Sequence, residues 1–596
     1  MAFQDTEEWA GQEDGDLEDT NHETDQDIYP NTDSEYSDSR HSASDQDSDP
    51  DEDKCDPLFD EKEFISYLEG LHEQIVAKWS APPIGDIPNL RPNAELKEHQ
   101  KHAVGKAEWA MRSQFKGMIL GDPPGLGKTL SALSMIARLS SDGNGPSIIL
   151  TPLSCCQHWM EEINKFFQDG TMPAVCLVDF KVIPKRPDVT LLSRVWVMEG
   201  VKPLGPLLIL DEVHLIKNSR SRAFAATHEL RQRVKTCIMM SGTPLDNPWV
   251  DAYALFSMLE GHETSTFGVY RFAFSGPPDQ EKNEAPDSQH TKRLIQMMDA
   301  VTLRRPDSIV TDDLPPIART LREYEGKSSS TTSSNLCFEE LEELKKRHSQ
   351  SEKGTYWGQL VKARQYAYHS MLVELHDIEA EAQLAAMKRD EAMEDVLGDQ
   401  YRERIAKWHV EVKTGNNWRS ERTLHLINLV QILIDMRPDD AMVIMDESVF
   451  FLDIVEISVT KALRHVRGGI PIFRYDGRLT PGERSAVITR FNAAKGRRLL
   501  LASLGAGGQY LNLQAANVLI RCGPWWNTLW EQRAEGSIYR YGQEKPTFVY
   551  ELYDKNSKVD AYIKRRRDLM NQKNREIMEA VTHRDDRNKP EPRHME

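Results

Sequence analysis

The sequence predicts an α/β fold with two parallel-sheet lobes, for three reasons. From about residue 90 onward, short apolar runs alternate with longer amphipathic segments, which is the pattern of strand–helix–strand units. The apolar runs fall into two clusters, at 117–240 and 442–552. With 596 residues, the chain also exceeds the size at which a single hydrophobic core usually stops growing. Buried strands are predicted at 118–120, 147–150, 207–210, 237–240, 442–445, 499–502, 518–520 and 547–552.

The segment between the two strand clusters has a different composition. Residues 328–334 are rich in Ser and Thr, and residues 338 to about 418 are rich in Glu, Lys, Arg, Ala and Leu, which favours long exposed helices. The predicted domains are therefore a disordered acidic tail (1–63), a helical lead-in (64–90), a first lobe (91–316), a linker with a helical insertion (317–425), a second lobe (426–560) and a basic tail, helical or disordered (561–596).

The acidic character of the chain comes from its N-terminus. Residues 1–63 contain 24 Asp and Glu against 3 Lys and Arg, whereas the net charge of the whole chain is −20. The remainder is close to neutral. A segment so charged and so poor in apolar residues cannot offset the entropy lost on ordering, so we expect disorder. Two interpretations stay open: a solubilising arm, or a segment that contacts histones or occupies the protein's own nucleic-acid groove.

Cysteine usage and hydropathy exclude several classes of protein. The 7 cysteines are scattered and include no Cys-x-x-Cys pair, so no structural zinc site is expected. Such a sparse set is typical of reduced thiols in the cytosol or nucleus. The sequence has no apolar signal segment and no apolar run of 18 residues, so we expect no membrane partner.

The run G-D-P-P-G-L-G-K-T at 121–129 lies between an apolar run and a helix-like segment. In a strand–turn–helix unit, glycines allow successive backbone N–H groups to surround a phosphate at the positive end of a helix. Lys128 would then reach the β- and γ-phosphates, and the Thr129 hydroxyl would bind Mg²⁺. The alternative is a glycine-rich turn that binds nothing, but the Gly-Lys-Thr ending in this setting favours ATP binding.

Two carboxylates follow the predicted strand at 207–210. Ligands of open parallel sheets bind beyond the carboxyl ends of the strands, so this position suits a nucleotide site. Asp211 would hold Mg²⁺, and Glu212 would orient and deprotonate the attacking water. Alone, an Asp-Glu pair is more often a solvated surface feature. Its place after 121–129, with Ser-Gly-Thr following at 241–243, favours the functional interpretation.

Further short motifs occur in a fixed order along the chain. The first half contains L-K-E-H-Q at 96–100, L-T-P-L at 150–153, D-E-V-H at 211–214 and S-G-T-P-L-D-N at 241–247. The second half contains Y-D-G at 475–477, A-G-G at 506–508, L-N-L at 511–513 and Y-R-Y-G-Q at 539–543. Together with 121–129, this order resembles helicase superfamily two and, within it, the SWI/SNF-type (switch/sucrose-non-fermentable) DNA-dependent ATPases. The resemblance covers residues 91 to about 555 and implies two RecA-like lobes around an ATP cleft.

The resemblance also implies roles for particular residues. Hydrolysis would depend on Lys128, Glu212 and Arg540, the last being an arginine of lobe two that neutralises charge on the transferred phosphoryl group. Thr129 and Asp211 would hold Mg²⁺. The nucleotide-binding set would be Gln100, which reads the adenine in this family, and Asp122, Gly125, Leu126, Gly127, Lys128, Thr129 and Asp211. The residues that couple the cleft to DNA would be Pro152, Ser241, Gly242, Thr243, Gly507, Gly508, Asn512 and Gln543.

One motif departs from the family pattern. The family usually has two arginines in the motif that ends at Gln543, and here the first of those positions is Ser537 whereas the second is Arg540. Losing one of two arginines raises the barrier to hydrolysis or leaves nucleotide binding with little turnover. Arg533, one helical turn before Ser537, is a candidate substitute, although an ordinary surface arginine is the favoured interpretation.

The resemblance implies an ATP-dependent double-stranded DNA translocase of chromatin remodelling or DNA repair, located in the nucleus. Its ligands would be ATP and Mg²⁺, and its partners double-stranded DNA and chromatin or histones. Grip on DNA would rest on phosphate contacts, which are independent of base sequence and sensitive to salt. Three alternatives stay open: a weakened or inactive ATP-binding scaffold, a strand-separating helicase of the same superfamily, and a P-loop ATPase unrelated to nucleic acid.

Overall fold

The structure is a computed structural model that describes most of the chain between residues 61 and 582. The described ranges are 61–79, 84–139, 147–171, 175–179, 205–219, 221–242, 245, 248–262, 264, 266–275, 288–306, 314–347, 353–376, 391–466, 469–504, 511–526, 528–540 and 542–582. Residues 1–60, which make up nearly all of the predicted acidic tail, lie outside these ranges. Within them, no helix combines the length and the apolar character that crossing a bilayer requires.

The first lobe is built on a parallel sheet of six strands in the spatial order β3-β2-β4-β5-β1-β6. The strands are β1 (Gly117–Leu120), β2 (Ser147–Thr151), β3 (Val175–Asp179), β4 (Gly205–Asp211), β5 (Val234–Met240) and β6 (Thr302–Leu303). Strands β1 and β2 are buried along their whole length, as expected for a parallel sheet covered on both faces. Since β4 lies between β2 and β5, its carboxyl end opens in the middle of the sheet edge.

Helices surround this sheet. Those described are α1 (Glu61–Trp79), α2 (Glu98–Arg112), α3 (Lys128–Leu139), α4 (Leu153–Phe166), α5 (Arg222–Arg231), α6 (Pro248–Phe256), α7 (Phe267–Ser275) and α8 (Ser288–Val301). The first three residues of helix α1, 61–63, belong to the tail predicted to be disordered, and Phe64, Leu68 and Leu71 of this helix are buried in the lobe-one core. The spacing of these apolar residues, one helical turn apart, explains why α1 packs on the lobe.

The second lobe contains another six-stranded parallel sheet, in the order β7-β12-β11-β8-β10-β9. Its strands are β7 (Ile317–Tyr324), β8 (Ala441–Asp446), β9 (Ile472–Tyr475), β10 (Arg498–Ser503), β11 (Val518–Arg521) and β12 (Thr547–Asp554). The helices that precede or pack on it are α9 (Ser329–Arg347), α10 (Lys353–Tyr368), α11 (Glu391–Lys413), α12 (Glu421–Met436), α13 (Val449–Ala462), α14 (Pro481–Ala493) and α15 (Thr528–Ile538). Helices α9 to α11 occupy the region where a helical insertion is predicted.

The last helix, α16 (Lys558–Val581), connects both lobes. Near its start, Val559 and Ile563 pack against α9 and α10, whereas Ile577 and Val581 near its end are buried in the lobe-one core. The basic tail predicted at 561–596 is therefore a packed helix as far as residue 581. Arg567, which belongs to its basic cluster, is largely buried and pairs with Glu551.

All eight predicted buried strands are present. Residues 317–324 were predicted to belong to the linker and instead form β7, which pairs along its length with β12. Most side chains of β7 are exposed, because the strand lies at the sheet edge. An edge strand carries charged residues that keep other chains from pairing with it, and this composition concealed it in the sequence.

Candidate active site between the lobes

A cavity of about 170 Å³ lies between the two lobes. Lobe one lines it with residues that follow β1, β2, β4 and β5, namely Pro124, Gly125, Gly127, Lys128, Thr129, His158, Glu162, Asp211, Glu212 and Gly242. Lobe two lines it with Leu511 and with one face of α15, namely Gln532, Arg533, Gly536, Ser537 and Arg540, the last lying just beyond the helix. The structure thus brings together predicted residues that are more than 300 positions apart in sequence.

The loop at 121–129 turns directly into α3, which begins at Lys128. Gly125 and Gly127 have φ angles of 92° and 72°, a region that other residues rarely adopt. The Lys128 ammonium donates to the carbonyl oxygens of Asp122 and Pro123, at 2.8 and 3.2 Å. Burial lowers the pKa of Lys128 to about 8, against the opposing effect of the nearby acidic residues.

The side chains of Gln100 and Asp122 contact protein groups next to this loop. The Gln100 amide lies 3.4 Å from the carbonyl oxygen of Gly127, and a Cβ added to Gly127 would come within 2.3 Å of it. The Asp122 carboxylate is buried and accepts bonds from the backbone and the guanidinium of Arg305. Arg305 also donates to the carbonyl oxygen of His99. Arg305 therefore holds the loop at 121–129, the predicted phosphate loop, against α2.

The two carboxylates at the end of β4 are held differently. Asp211 is buried, and its Oδ2 accepts bonds from the Thr151 hydroxyl at 3.0 Å and from the Trp159 indole N–H at 2.8 Å. Glu212 has a φ angle of 54°, a strained conformation for a residue with a side chain. This turn aims the Glu212 side chain toward lobe two, whereas Asp211 stays beside the phosphate loop.

The oxygen donors in the cavity suit Mg²⁺. Thr129 contributes a hydroxyl and Asp211 a carboxylate, and both line the cavity. Within the described ranges, no cluster of three or more His, Cys, Asp or Glu side chains could hold a metal ion. Magnesium is commonly bound by one or two protein groups together with substrate phosphates.

The lobe-two side of the cavity carries Arg540 and Ser537, and a further arginine. Ser537 is buried, and its hydroxyl donates to the carbonyl oxygen of Ala534 at 2.6 Å, so this position offers no positive charge. Arg533 reaches across the cleft, with its Nη2 3.1 Å from Oε2 of Glu212. Sequence reasoning favoured a surface position for Arg533; the structure places it in the cleft instead, because α15 directs this face toward lobe one.

The residues predicted to couple the cleft to DNA occupy several positions. Pro152 is buried at the start of α4, Ser241 is buried after β5, and Gly242 packs against Pro124. Asn512 is exposed. Gln543 is buried, and its amide donates to three carbonyl oxygens within lobe two. Thr243, Gly507 and Gly508 lie outside the described residues.

Two family models match the chain, one after the other along the sequence. The SNF2-related domain matches residues 99–184 and 190–361, and the helicase conserved C-terminal domain matches residues 425–542. A solved structure, the Sulfolobus solfataricus SWI2/SNF2 ATPase core in complex with dsDNA, is 20% identical and covers 83% of this chain and 96% of that chain, with a TM-score of 0.34.

Sequence relatives agree with these matches. The probable global transactivator of Orgyia pseudotsugata multicapsid polyhedrosis virus is 28% identical over 82% of this chain and 91% of its own length. The DNA repair and recombination protein RAD54-like of Drosophila erecta is 25% identical over 79% of this chain and 62% of its own length. The SWI/SNF-related matrix-associated actin-dependent regulator of chromatin subfamily A containing DEAD/H box 1 homolog of Caenorhabditis elegans is 24% identical over 79% of this chain and 50% of its own length. This chain thus spans only about half to two thirds of the fly and nematode proteins. With an SNF2-related domain followed by a helicase C-terminal domain, the chain belongs to the SWI/SNF family of helicase-like ATPases.

Proposed function

We propose that the protein is an ATP-dependent motor that moves along double-stranded DNA. One observation carries the proposal: Lys128 and Glu212 of lobe one and Arg540 of lobe two line a single cavity. A site divided between two lobes is complete only when the lobes are close together. Hydrolysis is then coupled to closure, and release of the products to opening.

The chemistry follows from the groups in the cavity. Water attacks the γ-phosphorus of ATP, its proton passes to Glu212, and the bond to the bridging oxygen breaks, so that ADP and phosphate leave. Lys128 neutralises the phosphates from lobe one and Arg540 from lobe two. Mg²⁺, held by Thr129 and Asp211, would supply further neutralisation of phosphate charge.

The indole of Trp159 and the hydroxyl of Thr151 support this chemistry indirectly, through Asp211. Both donate to the same oxygen of Asp211, so they orient a carboxylate that lines the cavity. Hydrogen bonds from outer residues are a common means of orienting metal ligands. We assign these two side chains a positioning role.

The proposed track is double-stranded DNA, gripped through its phosphates and so without sequence preference. Support comes from relatives named for DNA repair and recombination and for chromatin. The same names support a nuclear setting and work on chromatin. The proposed DNA-coupling residues on lobe one, Pro152 and Gly242, follow strands β2 and β5 on either side of β4, at the same sheet edge as the cleft.

The first experiment measures ATP hydrolysis by the full chain with and without linear double-stranded DNA. We expect DNA to raise turnover strongly, and Lys128→Ala and Glu212→Gln to abolish it. Lys235→Ala is the matched control, because Lys235 is an exposed lysine of the same lobe. Full turnover in either active-site variant would refute the site, and turnover indifferent to DNA would refute the track. A strand-displacement assay separates translocation from strand separation.

A second function, an ATP-binding scaffold with little turnover, is favoured by Ser537. Its buried hydroxyl is used inside α15, so one of two family arginines is missing. Single-turnover hydrolysis with excess protein tests this alternative: bound ATP that remains intact over many minutes identifies the scaffold, and its conversion to ADP identifies the motor.

A further inference from the structure

We propose that Arg533 is the second arginine of the cleft, and that it exchanges Glu212 for the terminal phosphate when ATP binds. The inference rests on the proposed ATPase function and deepens it. It concerns a position other than the two at which the family motif has its arginines, and it explains how a chain with Ser537 retains two positive charges on the lobe-two side of its cavity.

The first step is the geometry of α15. Arg533 and Ser537 are four residues apart in one helix, so they lie on the same face, one turn apart. Both line the cavity, as does Arg540 beyond the helix. A helical turn rises about 5.4 Å, a distance that an extended arginine side chain can span. Arg533 can therefore deliver a guanidinium to the part of the cavity that an arginine at 537 would serve.

The second step is the partner that Arg533 has in this structure. Its Nη2 lies 3.1 Å from Oε2 of Glu212 and 2.9 Å from Nδ1 of His214, and the side chain is 13% exposed. Glu212 and His214 belong to lobe one, at the end of β4. The contact is thus an ion pair between the lobes, made to the carboxylate proposed to accept the proton of the attacking water.

The third step is the competition for that guanidinium. In this ion pair, the single negative charge of the Glu212 carboxylate neutralises Arg533. The phosphates of ATP carry more charge, and a planar guanidinium binds a phosphate through two parallel bonds. Glu212 and Arg533 both line the cavity that the phosphates would occupy, so the guanidinium has a short distance to move. When the guanidinium leaves, one positive charge is removed from beside Glu212, so its carboxylate accepts a proton more readily.

The charges around the pair favour this exchange. From lobe one, Lys128 and the carboxylates of Glu162, Asp211 and Glu212 line the cavity, and from lobe two Arg533 and Arg540 do so. Without phosphates, the carboxylates and the cationic side chains balance one another. Arrival of ATP adds negative charge, so a cation is drawn from the carboxylates to the nucleotide. Arg533 thereby links the presence of ATP to the availability of Glu212.

The test compares Arg533→Ala with wild-type protein at saturating DNA, and Arg490→Ala serves as the control on an exposed arginine of lobe two. We expect Arg533→Ala to lower kcat by about 100-fold or more, as for the loss of one group that stabilises the transition state. Arg490→Ala should stay within about twofold of wild type, because it is a surface change. Adding Ser537→Arg to Arg533→Ala should restore much of the lost kcat.

Nucleotide affinity distinguishes this role from a merely structural one, because a structural role would not change the affinities for ADP and for an ATP analogue differently. A fluorescent ADP should bind Arg533→Ala and wild-type protein equally, whereas a non-hydrolysable ATP analogue should bind the variant about tenfold more weakly, because only the latter has the terminal phosphate. Arg533→Gln repeats both measurements with a longer uncharged side chain, should the alanine variant fail to fold.

The outcomes separate this inference from the proposed function. Wild-type protein that hydrolyses no more ATP than Lys128→Ala would sink the function, and the binding comparison would still decide the role of Arg533. Wild-type turnover that persists in Arg533→Ala, or equal loss of ADP and ATP-analogue binding, would overturn the inference alone.

Discussion

Arg422 joins four parts of lobe two, and its removal gives a measurable prediction. The side chain is completely buried. Its Nη2 donates to Oδ2 of Asp560 at 2.6 Å, its Nη1 to the carbonyl oxygen of Cys522 at 2.8 Å, and its Nε to that of Ala367 at 3.2 Å. The guanidinium also lies 4.2 Å from the ring centre of Tyr368. The Arg422 guanidinium thus connects its own helix, α12, with α10, α16 and the end of β11.

We predict that Arg422→Met lowers the free energy of unfolding of lobe two by about 3–5 kcal/mol, the usual cost of leaving one partner of a buried ion pair alone. Methionine fills most of the same space, so the loss comes mainly from the unpaired Asp560 and from carbonyl oxygens without a donor. At about 2–4 °C per kcal/mol for a unit of this size, the melting temperature should fall by about 6–20 °C.

Calorimetry or thermal fluorescence of the purified chain would measure this, with Arg490→Ala as the surface control. Burial raises the pKa of Asp560, and Arg422 opposes that rise. Without Arg422 the carboxyl takes up a proton more readily, so the penalty should shrink at lower pH. The double variant Arg422→Met/Asp560→Asn should lose less than the sum of the single variants. A melting temperature within about 2 °C of wild type would refute the reasoning.

Three further predictions concern charge. Burial raises the pKa of Asp446 to about 7. This carboxyl therefore stabilises lobe two most below its unfolded pKa of about 4 and loses that contribution as the pH rises to about 7. The melting temperature should fall between these pH values, and it should fall less in Asp446→Asn. The pKa of Lys128, lowered to about 8 by burial, predicts that kcat/KM for ATP declines as pH rises through about 8 because the free enzyme loses this cation; a flat profile from pH 7 to 9 would contradict it. Deleting residues 1–60, which end just before α1, should tighten binding to double-stranded DNA at low salt, whereas equal affinity of both chains would count against a tail that competes with DNA.

The sheets were predictable because their strands are buried on both faces. A strand of that kind reads as a continuous apolar run, as 207–210 does, whatever surrounds it. The edge strand β7 has no such run, since it pairs with a neighbour on one side only and meets solvent with charged residues. The short strand β9 is only half-buried over most of its length, which weakens the same signal.

The site was predictable where backbone shape imposes the residue type. A phosphate loop requires glycines at Gly125 and Gly127, and the motif shows them directly. The contacts of a side chain could not be predicted in this way, because its neighbours come from distant parts of the chain. The partnership of Asp122 with Arg305 and the reach of Arg533 to Glu212 join residues 183 and 321 positions apart, and no local pattern contains that information.

Within the described residues, the chain connects the two lobes at two places. It leaves lobe one after residue 306 to enter β7, and it returns along α16, whose last turn reaches the lobe-one core and whose following residue, Thr582, pairs with Arg304. With 24 residues, α16 is about 36 Å long. Two connections at separate points constrain the relative movement of the lobes more than one connection would. We expect them to favour rotation about the line that joins them over sliding or twisting, so that α15 approaches the phosphate loop in a reproducible orientation.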